Sequence, residues 1–162
     1  MLKFLLTNIL LWSFMTVKAS AVNLPRFDVL NKQGCTYKKN YRFLSKEQKK
    51  VIENELNLNF QSSTIRKIDI NCAGSKSAGY ILNDKIRTHY QTLLVWIDQK
   101  KIKGLEILEF SEPPRYKAPK DWYKTLQGAN SKDLFKVDAL SGATLTRQST
   151  LNLVKQALYF DK

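Results

Sequence analysis

The chain has 162 residues, with 27 basic and 14 acidic side chains and a single histidine, for a formal net charge of +13. That length buries one core and no more, so a single domain is expected. One histidine, His89, and two separated cysteines exclude a clustered metal site, a C-x-x-C redox motif and a haem-attachment C-x-x-C-H. The Lys and Arg residues are spread along the chain without an arginine-rich tail or a nucleic-acid motif, so most of the excess reads as a solvated basic surface.

Residues 1–21 hold Lys3, an apolar run from Phe4 to Val17 and then Ala19-Ser20-Ala21, the n-region, h-region and A-x-A pattern of a secretory signal. The run is short for a membrane span, and an uncleaved N-terminal anchor is the alternative. No cysteine follows it closely, so a lipoprotein anchor is not available. Loss of Lys3 and Lys18 with the signal leaves 25 basic and 14 acidic side chains, or +11. Export sets nucleic acid aside as a partner and leaves anionic lipid headgroups or an acidic redox partner. In an exported chain Cys35 and Cys72 read first as a structural disulfide tying the N-terminal segment to the body, and second as a redox-active pair.

Residues 22–44 read as irregular and basic, broken by Pro25 and Gly34. Ser45-Lys46-Glu47-Gln48 has the form of a capping box and predicts a helix to about Leu56. A short strand is expected at Thr64 to Ile70, and the β region proper from Gly79. Residues 87–97 and 102–110, joined by Asp98-Gln-Lys-Lys101, predict an antiparallel hairpin at the centre of a sheet. Ser111 to Asp121 holds three of the four prolines and predicts a stiff loop, after which Asp121 caps a short helix through Leu126 that Gly128-Ala-Asn130 ends. His89 reads as a strand-surface or hydrogen-bonded histidine.

The most informative stretch is Asp138 to Thr150, D-A-L-S-G-A-T-L-T-R-Q-S-T, leading into a run to Phe160. Leu151, Val154 and Leu158 recur at helical spacing, Leu153 and Ala157 widen the stripe, and Gln148, Asn152, Lys155 and Gln156 mark a polar face. Ser141, Thr144 and Thr146 are all candidate N-caps, and the backbone donors they would satisfy also suit a phosphate. Gly142 permits a sharp turn and Ala143 leaves space beside Thr144. The stretch lacks the second glycine and Lys-Ser/Thr pair of a Walker loop and the G-x-S-x-G of a hydrolase elbow. On local physics alone it is a well-capped terminal helix.

D-A-L-S-G-A-T-L-T also resembles the flavinylation motif of the FMN-binding domain family, found in the C and G subunits of the sodium-pumping NADH:quinone reductase and the Rnf complex. The resemblance implies that Thr144 carries FMN through a phosphoester. It makes Asp138, Ser141, Gly142, Ala143 and Thr146 the recognition and phosphate-contact positions. It also implies a separate magnesium-dependent flavin transferase that takes the FMN half of FAD and releases AMP. The loop S-E-P-P-R-Y-K-A-P-K-D resembles the family's flavin-side loop in Glu112 and its prolines but lacks the family's Thr and Gly-Leu-Gly, so Tyr116 and Trp122 stand as the ring-contact candidates. Tyr80, Tyr90 and Trp96 read as core aromatics or as stacking partners.

Together these features predict an α+β protein. It comprises a signal at 1–21, a 22–78 extension with one helix packed on the domain, and an FMN-binding domain at 79–162. A central antiparallel sheet carries packed helices, the last following the S-G-A-T turn. The expected function is an exported electron carrier, periplasmic or on the outer face of the cytoplasmic membrane, exchanging electrons with membrane-bound or periplasmic redox proteins. No Rossmann G-x-G-x-x-G is present to bind nicotinamide, and no acid/base pair suggests turnover of a small substrate. Two alternatives stand beside this: a secreted basic binding or envelope domain without cofactor, and the electron-input subunit of a flavin-dependent reductase.

Overall fold

A computed structural model describes residues 27–31, 33–60, 62–134 and 143–161. The signal segment and Asp138, Ser141 and Gly142 lie outside the described residues. Five antiparallel strands form one sheet in sequence order: β1 (Thr36–Phe43), β2 (Thr64–Cys72), β3 (Ser75–Ile86), β4 (His89–Asp98) and β5 (Lys101–Phe110). The helices are α1 (Asp28–Asn31), α2 (Lys46–Leu56), α3 (Lys120–Lys124) and α4 (Thr144–Phe160), with a 3-10 turn at Pro114–Tyr116. The protein is therefore α+β, with a C-terminal helix packed on an antiparallel sheet.

Strand β1 corrects the reading of residues 22–44 as irregular. Tyr37 to Phe43 pair with Ile70 to Thr64, and the sequence T-Y-K-K-N-Y-R-F suits an exposed sheet edge, where basic side chains discourage unwanted pairing. The sheet extends from Thr36 to Phe110, so β structure begins well before Gly79. The hairpin of β4 and β5 is correct in its turn, where Gln99 and Lys100 both adopt positive φ, but β3 holds the centre of the sheet and β5 an edge.

The two faces bury different cores. On the first, Ile65, Tyr80, Leu82, Leu93, Val95 and Ile97 meet α4 through Leu151, Leu153, Val154, Ala157 and Leu158, the apolar stripe expected from the sequence. Gln156, assigned to the polar face of α4, is instead buried, as are Thr146, Ser149 and Thr150. Helix α2 adds Ile52 to this core, and its capping box is formed: Ser45 Oγ accepts from Gln48 N–H while Gln48 Oε1 accepts from Ser45 N–H. On the second face, Phe27 and Leu30 of the α1 region cover Ile68, Ile70, Ile81, Leu94 and Trp96. Gly79 lies opposite Trp96, and a Cβ there would stand 3.0 Å from Leu94 Cδ1 and 3.1 Å from Ile70 Cδ1.

Cys35 and Cys72 are joined by a disulfide, just outside the Thr36 to Asn71 pairing of β1 and β2. The bridge closes a loop of 37 residues and so restricts the unfolded chain. Replacing both cysteines by serine is expected to cost about 3 to 4 kcal/mol on the chain-entropy account, read as a fall in the urea midpoint. An unchanged midpoint would show that the unfolded chain gains no freedom from losing it.

Candidate functional site

Helix α4 crosses β3 and β4 on the first face. Near its start Gln91 Nε2 donates to Thr150 Oγ1 at 2.8 Å, and at its end Tyr80 Oη donates to the Phe160 carbonyl at 3.0 Å. The helix thus runs in the direction of β4. Its N-terminus lies at the end of the sheet that carries the β3–β4 turn and the loop after β5.

The N-cap is Ala143, with no side-chain capping bond, rather than Ser141, Thr144 or Thr146. Thr144 is the first helical residue and is exposed to solvent. The ladder starts with Arg147 N–H donating to the Ala143 carbonyl at 2.9 Å, which leaves the preceding turn's N–H groups pointing out of the helix with its positive dipole end behind them. Thr146 is buried and donates from Oγ1 to the Tyr116 carbonyl at 2.7 Å, so its hydroxyl ties the proline loop to the helix instead of capping it.

That bond brings the two separately predicted stretches together. Tyr116 is half-buried beside the start of α4, and two guanidinium groups approach its ring, Arg115 at 4.9 Å and Arg87 at 5.2 Å from the centroid. Hydrogen bonding from Arg115 and then from Arg87 lowers the Tyr116 pKa. Arg87 sits in the tight β3–β4 turn with φ 56°. Replacing Thr146 by valine removes one bond and leaves the Tyr116 carbonyl without this donor. A loss of about 1 to 2 kcal/mol is expected in denaturant unfolding, with faster amide exchange in the proline loop. Unchanged exchange there would mean that the loop is held by its prolines alone.

Glu112 and Trp122 occupy more interior positions. Glu112 is 6% exposed and its Oε1 has no hydrogen-bond partner among the described residues. Trp122 is packed in the first core on α3, with its ring 5.1 Å from that of Tyr123, and its Nε1 is likewise unpartnered. Asp121 does not cap α3: the N-cap is Pro119, and Asp121 pairs with Lys124 at 2.6 Å in the first turn. Of the core aromatics, Tyr80 and Trp96 are buried while Tyr90 is exposed. His89 opens β4 at the surface.

Three further polar groups were not singled out by sequence reasoning. Gln91 Oε1, Tyr123 Oη and Ser149 Oγ are buried without a hydrogen-bond partner among the described residues, like Glu112 Oε1 and Trp122 Nε1. Burial raises the Tyr123 pKa; Thr150 lies near enough to oppose the shift, yet no hydrogen bond to it forms. Several of these residues are linked to one another or to α4, of which Ser149 is itself a residue. Gln91 and Tyr123 approach through Thr150, Trp122 adjoins Tyr123, and Glu112 follows Ser111, whose N–H donates to the Tyr90 carbonyl. Unpaired buried polar atoms each cost free energy, so each of these asks for a partner such as ordered water or a ligand. Their sequence signal was the inward row Thr146, Ser149, Thr150, which continues the Leu153 stripe at helical spacing.

Among the described residues no group of three or more His, Cys, Asp or Glu is placed to hold a metal ion, and no helix is long and apolar enough to cross a membrane. No curated protein and no solved structure matches the chain. Residues 91–159 match the family model of the FMN-binding domain. The matched segment spans Gln91, Glu112, Tyr116, the Trp122–Tyr123 pair and most of α4. Over that segment the chain is similar to the FMN-binding domain family.

Proposed function

We propose that the protein is an exported electron carrier holding FMN covalently through a phosphoester on Thr144, and that a separate flavin transferase installs it. The observation that carries this reading is an exposed threonine opening a 17-residue helix whose N-cap, Ala143, makes no side-chain capping bond, inside the segment that matches the FMN-binding domain model.

The residues fit the cofactor. Trp122 Nε1, Tyr123 Oη and Ser149 Oγ are donors, while Gln91 Oε1 and Glu112 Oε1 accept. The polar edge of an isoalloxazine, with one N–H between two carbonyls, needs partners of both kinds. The N–H groups of the first turn of α4 and the positive charges of Arg87 and Arg115 favour a phosphate at Thr144.

A threonine hydroxyl is a weak nucleophile that needs a base or a metal to activate it. Activation from outside is therefore the economical route. Thr144 Oγ1 replaces AMP at the FMN phosphorus of FAD: one phosphorus–oxygen bond forms as the pyrophosphate bond breaks, and the hydroxyl proton leaves to a base of the transferase. Exposure of Thr144 gives the transferase access. Once attached, FMN supplies the exchange of electrons singly or in pairs. The protein's part is to retain the cofactor outside the cytoplasm, orient it against the buried polar atoms and surround it with positive charge, which favours the anionic reduced ring.

Production with a flavin transferase tests the reading. A yellow band that stays fluorescent after denaturing electrophoresis is expected, with a reduction potential above that of free FMN. A colourless band, with the transferase shown to modify a control protein, would contradict it.

A further inference from the structure

The α1 region covers only part of the second sheet face. Beyond it, toward the β3–β4 turn, Tyr41, Phe43 and Tyr90 stand in solvent, 61%, 76% and 45% exposed. The pairing registers put all three on the face of Ile68 and Ile81: Tyr41 opposes Arg66, Phe43 opposes Thr64, and Tyr90 opposes Lys85. Two depressions of about 250 and 350 Å³ lie here and share Arg66, Thr92 and Glu109, forming one groove. Its charge is predominantly positive. Lys39, Arg66 and Lys85 border it, against Glu109, whose carboxylate already accepts from Thr92 and Ser111.

The groove is continuous with the flavin end of the sheet. Tyr90 at its margin accepts Ser111 N–H, the next residue is the buried Glu112, and Arg87, two residues beyond Lys85, stacks on the Tyr116 that Thr146 holds. We infer that this groove docks the protein's electron-exchange partner, an acidic protein whose protruding face enters it; the inference rests on the electron-carrier reading. Exposed aromatics supply the anchors of such an interface and the surrounding positive charge steers the encounter. A protein fits better than a bilayer because the groove is recessed and its floor is polar, with Thr64, Arg66, Asn83 and Thr92 below aromatic rims that a flat lipid surface would meet alone.

A plant-type [2Fe-2S] ferredoxin, small and acidic, serves as the probe in nuclear magnetic resonance titrations of the FMN-loaded protein and of flavin-free Thr144→Ala. Cytochrome c is the basic control, and phosphatidylglycerol vesicles provide the lipid arm. Ferredoxin is expected to bind both forms, shifting resonances of Tyr41, Phe43, Arg66 and Tyr90, with affinity falling at least about tenfold between low and physiological salt. Lys85→Glu with Arg66→Gln, and separately Tyr41→Ser with Phe43→Ser, should each weaken binding about tenfold. Lys50→Glu with Lys101→Glu, on α2 and at the opposite end of the sheet, should leave it within about twofold.

Equal loss in that last pair, shifts centred elsewhere, equal binding of cytochrome c, binding to vesicles alone or no binding of ferredoxin would each overturn the assignment. If the chain takes no flavin yet ferredoxin occupies the groove, the surface stands and the electron-carrier reading falls. If flavin loads normally and the groove stays empty, the docking inference falls by itself.

Discussion

Truncation of Trp96 to alanine is expected to lower the stability of the domain by about 3 to 5 kcal/mol, the cost of emptying a large buried site that its neighbours only partly refill. Trp96 is fully buried on β4 among Phe27, Leu30, Ile68, Ile70 and Leu94. Gly79 opposite it has no side chain to expand into the space, and Ile70 and Leu94 already crowd the position a Cβ would take. Two polar contacts are lost as well: Trp96 Nε1 donates to Ser77 Oγ at 2.8 Å, and Lys103 Nζ lies 5.1 Å from the ring centroid. A domain of this size has only about 5 to 15 kcal/mol in reserve, so the variant should unfold at markedly lower urea. Trp96→Phe keeps an aromatic filler and should recover much of the loss. The tryptophan lies on the sheet face opposite α4, so flavin content per folded molecule should stay at the wild-type level in both variants. A shift of the midpoint worth under about 1 kcal/mol would mean that the second face contributes little to folding.

Thr144→Ala is expected to abolish covalent flavin while leaving the fold in place. Thr144 is exposed at the first position of α4 and the N-cap residue is Ala143, so the substitution leaves the N-cap residue in place. Alanine is also a strong helix former. The expected stability change is within about 0.5 kcal/mol, as for most surface substitutions. The loss of flavin should be complete, because the next hydroxyl along the helix, that of Thr146, is buried and donates to the Tyr116 carbonyl. Residual covalent flavin in the variant would show that attachment uses another residue.

Legibility in the sequence followed the strength of the local signal. The apolar stripe of α4, the Ser45 capping box and the Asp98 to Lys101 turn were readable because each depends on residues a few positions apart. Strand β1 was not, since an edge strand made of Lys39, Asn40 and Arg42 with scattered aromatics lacks the alternation of a half-buried strand. The N-cap was misjudged because three hydroxyls competed for it, and Thr146 was claimed instead by a carbonyl 30 residues away. The same cause hid Gln91, Tyr123 and Ser149. Each is an ordinary polar residue in sequence, and only the packing of β4, α3 and α4 buries its polar atom. The family resemblance depended on a short motif whose first part, Asp138 to Gly142, lies outside the described residues; Thr144 and the loop bonded to Thr146 tie the remainder of it to the site.

Intact mass of the protein, produced with a flavin transferase as wild type and as Thr144→Ala, decides whether Thr144 carries FMN. An increment of FMN less one water on wild type alone is the result this account predicts. No increment on wild type, with the transferase active on a control, would leave the start of α4 as a helix terminus and nothing more; an increment on both proteins would place the attachment elsewhere.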